Sequence, residues 1–196
     1  MRTMTAFTEF VARLRAWQVF ALLILPLVGS HLYLINSFPP PSPTPQTIGG
    51  EVLEDLFRQT MRMSFLFALL SMSWFLSLGF AANRRVNADI RPDTRRVIAG
   101  AILALSYIAL IPWIFPFPGD DGLPAGLPMG LTAPLHLLAM FSIFYVMAFA
   151  ARNLIMAERQ SPVTFYDYSG PFFLLWFFPV GVWIVQPRVN RLVSAQ

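Results

Sequence analysis

Cysteine and lysine are both missing from this chain of 196 residues, and histidine occurs only twice. Without cysteine there is no disulfide, no thiolate nucleophile and no iron–sulfur or cysteine-ligated zinc site. All 14 basic residues are arginines. Charge is sparse, at 12% of residues, whereas apolar residues make up 56%. That share exceeds the roughly 45–50% of an ordinary soluble domain, and the mean hydropathy of +0.59 agrees with it. Also lacking are a phosphate-binding glycine loop, an HExxH pair, and any Ser/His/Asp or paired-carboxylate set that would fall at one membrane depth. No acidic side chain stands in the middle of an apolar run, which disfavours an ion-coupled pump. The expectation is therefore a protein that is not an enzyme.

What is present is five long apolar stretches. At about 20 residues per crossing, four or five crossings nearly exhaust the chain and leave no room for a separate catalytic domain. The pattern predicts an all-α integral membrane protein, a single polytopic domain over 1–196. Spans are expected at 17–36, 63–82, 97–115 and 133–151 in antiparallel order. Residues 1–15 precede them as an amphipathic surface helix, with Phe7, Phe10, Val11 and Leu14 at i, i+3, i+4 and i+7. Arg2, Arg13 and Arg15 before the first apolar run resemble the charged start of a signal peptide. His31, Leu32 and Tyr33 stand where small residues would be cleaved, so an uncleaved first span is expected. Pro26, followed by Gly29, predicts a kink in that span. The run from Phe38 to Pro45 reads as an extended polyproline-type linker. The next helix starts at Gly50, outside the bilayer, with Glu51, Glu54 and Asp55 in its first turns.

Arg84, Arg85, Arg91, Arg95 and Arg96 are concentrated in the linker after the second span. They are the strongest orientation signal in the chain and are placed in the cytoplasm against anionic lipid headgroups. The loop 116–132 carries Asp120 and Asp121 and no basic residue, so it belongs on the outer side. The N-terminus is then cytoplasmic. Because the arginines sit at span ends, the pI near 10 signals lipid and not nucleic acid. The fifth run, 171–185, is only about 22 Å long if helical, shorter than the roughly 30 Å hydrocarbon core, and contains Pro179 and Gly181. It is expected to be a re-entrant or interfacial element, with a short tilted fifth span as the alternative.

The segment from Phe165 to Asn190 is the richest in information. Asp167, Trp176, Pro179, Trp183, Gln186 and Arg188 are candidates for a partner-docking surface, with Asp167 pairing with Arg188 or Arg191 and the two tryptophans anchoring at headgroup depth. With its aspartate-aromatic start and the run WFFPVGVWIVQPRVN, this segment resembles uncharacterised bacterial multi-pass membrane proteins ending in a WFFPxGxWxxQPRxN stretch. The resemblance implies a bacterial origin and brings no activity; the expected location is the bacterial inner membrane. His31 and His136 fall near the outer ends of the first and fourth spans, and two facing imidazoles could ligate a haem, or one a chlorin magnesium. Three functions follow: a non-catalytic accessory subunit packing against other membrane subunits through aromatic and small-residue faces, a haem- or pigment-binding subunit using His31 and His136, or an oligomeric channel or small transporter. No cofactor and no metal are expected under the first.

Overall fold

The computed structural model describes residues 2–37, 50–114 and 128–194. The proline-rich linker and the loop with Asp120 and Asp121 lie outside the described residues. Among those described, all regular structure is helical: α1 (Arg2–Arg13), α2 (Ala16–Ser37), α3 (Gly50–Asn83), α4 (Arg95–Ile114), α5 (Met129–Arg159), α6 (Phe165–Trp176) and α7 (Phe178–Ser194), with a short 3-10 turn at Ala88–Ile90 between α3 and α4.

Among the described residues, three stretches are long and apolar enough to cross a membrane: Ala16–Asn36, Val52–Asn83 and Gly130–Arg159. They mark a membrane protein. The 20-residue α4, which opens on Arg95 and Arg96, is not one of the three. α2 continues as one helix through Pro26. At 1.5 Å per residue, the 34 residues of α3 span about 51 Å and the 31 of α5 about 46 Å, well beyond a core of about 30 Å. α3 and α5 pack together as the central pair, α4 lies on both, and α2 lies on α3 and α7. Small residues allow the close approaches. A Cβ on Gly79 would stand 2.7 Å from the Phe149 ring, and Gly100 of α4 faces Ser142 and Tyr145 of α5.

Burial is uneven along the bundle. The main core gathers Trp74, Leu78 and Ala81 of α3, Val146, Ala150 and Leu154 of α5, and Val182, Val185 and Val189 of α7. It sits toward the arginine-rich end, where α3 and α5 finish. The other halves of α2 and α5 expose Leu25, Leu32, Leu137 and Phe141, side chains suited to an apolar surrounding.

The last apolar run is a helical hairpin. α6 runs antiparallel to α5: Asp167 meets Arg159 near the end of α5, while Trp176 meets Phe144 at a centroid distance of 4.7 Å, about 22 Å back along α5. The helix stops at Phe177, whose ψ is 56°, and α7 returns beside α3. Phe178 meets Phe67, Gln186 meets Trp74, and Arg85 meets Leu192. Both ends of the hairpin therefore lie at the arginine-rich end. It is longer than the expected 171–185, because a capping box at Thr164 starts α6 early and α7 continues through Pro187 to Ser194.

One expectation is corrected. Asp167 pairs with Arg159 and Arg188 with Glu158, because α6 and α7 both pack on α5 and each reaches the charge nearest its own end. Trp176 and Trp183 stand toward the hairpin tip, against Phe144 and Phe20.

The tip depends on Gly181, where an added Cβ would lie 1.6 Å from the Leu174 carbonyl oxygen, while Gly170 has nothing within 4 Å. Gly181→Ala is expected to cost roughly 1–3 kcal/mol or more through backbone displacement. Gly170→Ala is expected to be neutral or to stabilise by up to about 1 kcal/mol. Thermal unfolding of the two variants in mild detergent, followed by circular dichroism, measures the contrast.

Candidate functional site

At the arginine-rich end, the helices α1, α3, α5 and α7 all terminate. Each leaves carbonyl groups without an intrahelical donor, and side chains supply the missing donors. Gln186 of α7, fully buried, is the centre. Its Oε1 accepts from the Trp74 indole N–H of α3 at 2.9 Å. Its Nε2 donates toward the carbonyls of Val11, Ala12 and Leu14 at 3.3, 3.2 and 2.8 Å and toward Asn190 Oδ1 at 3.2 Å. Asn190 Nδ2 donates to the Leu14 carbonyl as well. The C-terminus of α1 is thereby tied to α3 and α7.

α1 is consequently more than a helix resting on a membrane. Its Thr8 and Ala12 are buried, whereas Phe7 and Phe10 are more than half exposed. The expected apolar stripe is split: Val11 and Leu14 pack on the core, and the two phenylalanines face outward. Thr8 also accepts a hydrogen bond from the Arg84 guanidinium.

Arg85 acts on two helix ends together. It donates to the Ala81 carbonyl of α3 at 2.7 Å, to Leu192 of α7 at 2.5 Å and to Val193 at 3.5 Å. Burial pulls its pKa below the ordinary arginine value; Glu9 opposes this, and Arg84 and Arg13 add to the lowering. Arg91 donates to the carbonyls of Val86 and Arg84 and holds the linker folded. Arg95 and Arg96 are exposed. The five arginines expected to act alike on lipid thus divide into three that fasten the chain and two that face outward.

A second buried amide pair crosses from α3 to α5. Asn83 donates to Asn153 Oδ1 at 2.9 Å and to the Pro92 carbonyl at 3.1 Å, and Asn153 donates to the Phe149 carbonyl at 2.7 Å. Gln160 ends α5 in the left-handed region at φ 51°. Its side chain accepts from the Asn87 amide and donates to the Arg85 carbonyl.

Of the candidates from sequence, Gln186 is directed inward, and Arg188 forms a two-bond pair with Glu158 at 2.9 and 2.5 Å. Trp176 and Trp183, about half exposed, join Phe173, Phe177, Val180 and Ile184 on the outer surface of the hairpin. Pro179 occupies the first turn of α7, where its missing N–H is tolerated. The histidines receive separate partners: His31 Nδ1 bonds to the Leu27 carbonyl of its own helix, and His136 Nδ1 lies 3.2 Å from the Tyr107 hydroxyl of α4. α2 packs on α3 and α7, and α5 on α3, α4, α6 and, to a smaller extent, α7. Among the described residues, no three His, Asp or Glu side chains come together as a metal site would need. Trp74, Asn83, Asn153 and Gln160 were missed from sequence. Amide side chains beside apolar runs are the signal that could have found the asparagines, because such groups need a partner helix.

Asp167 accepts from the Thr164 amide and hydroxyl, both at 2.8 Å, and from Arg159 at 2.5 Å. These bonds, led by the Thr164 amide, hold its carboxyl well below the ordinary 3.8, at about 2. Comparison with protein-family models, curated proteins and solved structures finds no match.

Two outcomes are expected. Gln186→Leu leaves the Trp74 N–H and the α1 carbonyls without their donor or acceptor, at roughly 1–3 kcal/mol per buried group. Trypsin should then release the N-terminal segment at Arg13 or Arg15 at least tenfold faster than from the parent protein. The depressed pKa of Asp167 means that its support of α6 is complete above about pH 4 and is lost as pH falls through about 2. Amide exchange in the first turn of α6 should follow that window, and in Asp167→Asn it should be fast throughout.

Proposed function

We infer that the chain is a non-catalytic subunit of a bacterial inner-membrane complex. α2, α3, α4 and α5 cross the bilayer, the arginine-rich end faces the cytoplasm, and the α6–α7 hairpin enters from that side and returns to it. The observation that carries this reading is the uncovered aromatic surface of the hairpin. Tryptophan favours the membrane–water interface, where its ring is in apolar surroundings and its N–H is wet. Trp176 and Trp183 instead lie toward the hairpin tip, away from the charged end, and are 49% and 51% exposed. A neighbouring subunit covering this surface accounts for two large aromatic rings there better than lipid alone. Large aromatics also dominate the binding energy of protein interfaces. The polar groups of the hairpin support the same assignment, because Gln186, Asn190 and Arg188 are occupied within the chain and hold the aromatic surface in a fixed position.

Trp176→Ala together with Trp183→Ala is expected to abolish co-purification of a stoichiometric membrane partner in mild detergent, an affinity loss of at least tenfold. Membrane insertion and protein level should stay unchanged. An absorption spectrum on the same sample tests His31 and His136 as ligands. A chain that purifies without a stoichiometric partner, or keeps one unchanged in the double variant, overturns the reading.

A further inference from the structure

Between the C-terminal ends of α1 and α7 lies a cavity of about 410 Å³ lined by Arg13, Asn190, Val193 and Ser194. Its size is within the range of small-molecule sites, roughly 300–1,000 Å³. We propose that this cavity binds the phosphate group of an anionic phospholipid, with the Arg13 guanidinium as its direct partner.

The charge around the cavity selects an anion. Arg13 is exposed. Arg85, whose guanidinium bonds to the backbone of the lining residue Val193, adds a second positive charge behind the wall. Arg84 and Arg13 are near enough to Arg85 to act on it electrostatically, and Glu9 is the carboxylate that opposes them. Among the described groups acting on Arg85 there is one acid and, with Arg85 itself, three arginines, an excess of positive charge that a bound anion would relieve.

Helix C-termini ordinarily repel anions. Here several of the carbonyls at the two helix ends are already accepting hydrogen bonds. Gln186 and Asn190 cover those of Val11, Ala12 and Leu14, and Arg85 covers those of Leu192 and Val193. These donors offset part of the negative end of each helix dipole. Ser194, whose hydroxyl bonds to the Arg191 carbonyl, and the Asn190 amide add a polar rim, while Val193 is an apolar wall for the glycerol portion. Arg13 stands three residues before Ala16, where the apolar stretch begins, the position at which a headgroup meets a chain entering the bilayer. The proposal rests on the membrane placement inferred above, and basic pockets between helices on the cytoplasmic side are a recurring mode of headgroup capture.

The test uses full-length protein in nanodiscs of phosphatidylcholine with or without phosphatidylglycerol. Retained lipid is read by native mass spectrometry after transfer to detergent. Phosphatidylglycerol should be retained in preference to phosphatidylcholine. Arg13→Gln should lower its retention about fivefold, the factor that loss of one arginine from an anionic surface carries. Ser194→Tyr, which fills the cavity without altering charge, should lower it too, and Arg95→Gln with Arg96→Gln should not. Equal retention in Arg13→Gln, or no preference for the anionic lipid, overturns the site. If inorganic phosphate alone produces the same Arg13-dependent thermal stabilisation, the source is a soluble phosphate and the lipid assignment fails. Release of the parent chain from native membranes by alkaline carbonate would overturn the membrane placement itself, a result separate from loss of the site.

Discussion

Gln186 is the constraint on which the arginine-rich end depends. Its amide nitrogen carries two hydrogens and faces four acceptors, three of them carbonyls of α1 or of the turn that follows it. Its oxygen holds the Trp74 indole. A carbonyl taken out of water without a donor costs free energy comparable to a lost hydrogen bond. α1 can therefore dock on the bundle only where such a donor waits. That donor is held in place by a helix that must itself fold back from the tip at Phe177. The position of α1, the return of α7 and the burial of Trp74 are thus one coupled arrangement.

The same end gathers the C-termini of α1, α3, α5 and α7. Each carries the equivalent of about half a negative charge in its last turn, so their convergence would be unfavourable without cations or donors nearby. Arg85, Asn190 and Gln160 answer this locally, each by donating to one or more free carbonyls. The arginine concentration consequently has a structural cause as well as a topological one. Arg84, Arg85 and Arg91 are fixed by bonds to the chain, while Arg95 and Arg96 remain on the surface.

Packing differs between the two ends of the bundle. Toward the arginines the core holds Trp74, Asn153, Gln186 and Leu154 almost without exposure, whereas α2 and α5 expose Leu32, Leu137 and Phe141 farther away. Serines in those halves, such as Ser30 and Ser142, return their hydroxyls to carbonyls at i−3 and i−4. That satisfies them within one helix and leaves the helix surface apolar.

The helical class, the helix start near Gly50 and the apolar runs that form α2, α3 and α5 were legible in sequence, whereas α5 extends to Arg159, beyond the expected 133–151. Hydropathy, proline, glycine and charge placement act over a few residues, and a single chain carries them whole. The partners of Asp167 and Arg188, the inward direction of Gln186, the splitting of the α1 stripe and the Asn83–Asn153 bond were not legible. Each depends on which helices become neighbours and at what register, and a side chain in this bundle finds its partner as much as 176 residues away. Sequence determined by itself that most of this chain is apolar helix with its positive charge gathered at helix ends. Only tertiary structure decided that four helix termini meet there, because free carbonyls take whichever donors the fold brings within reach.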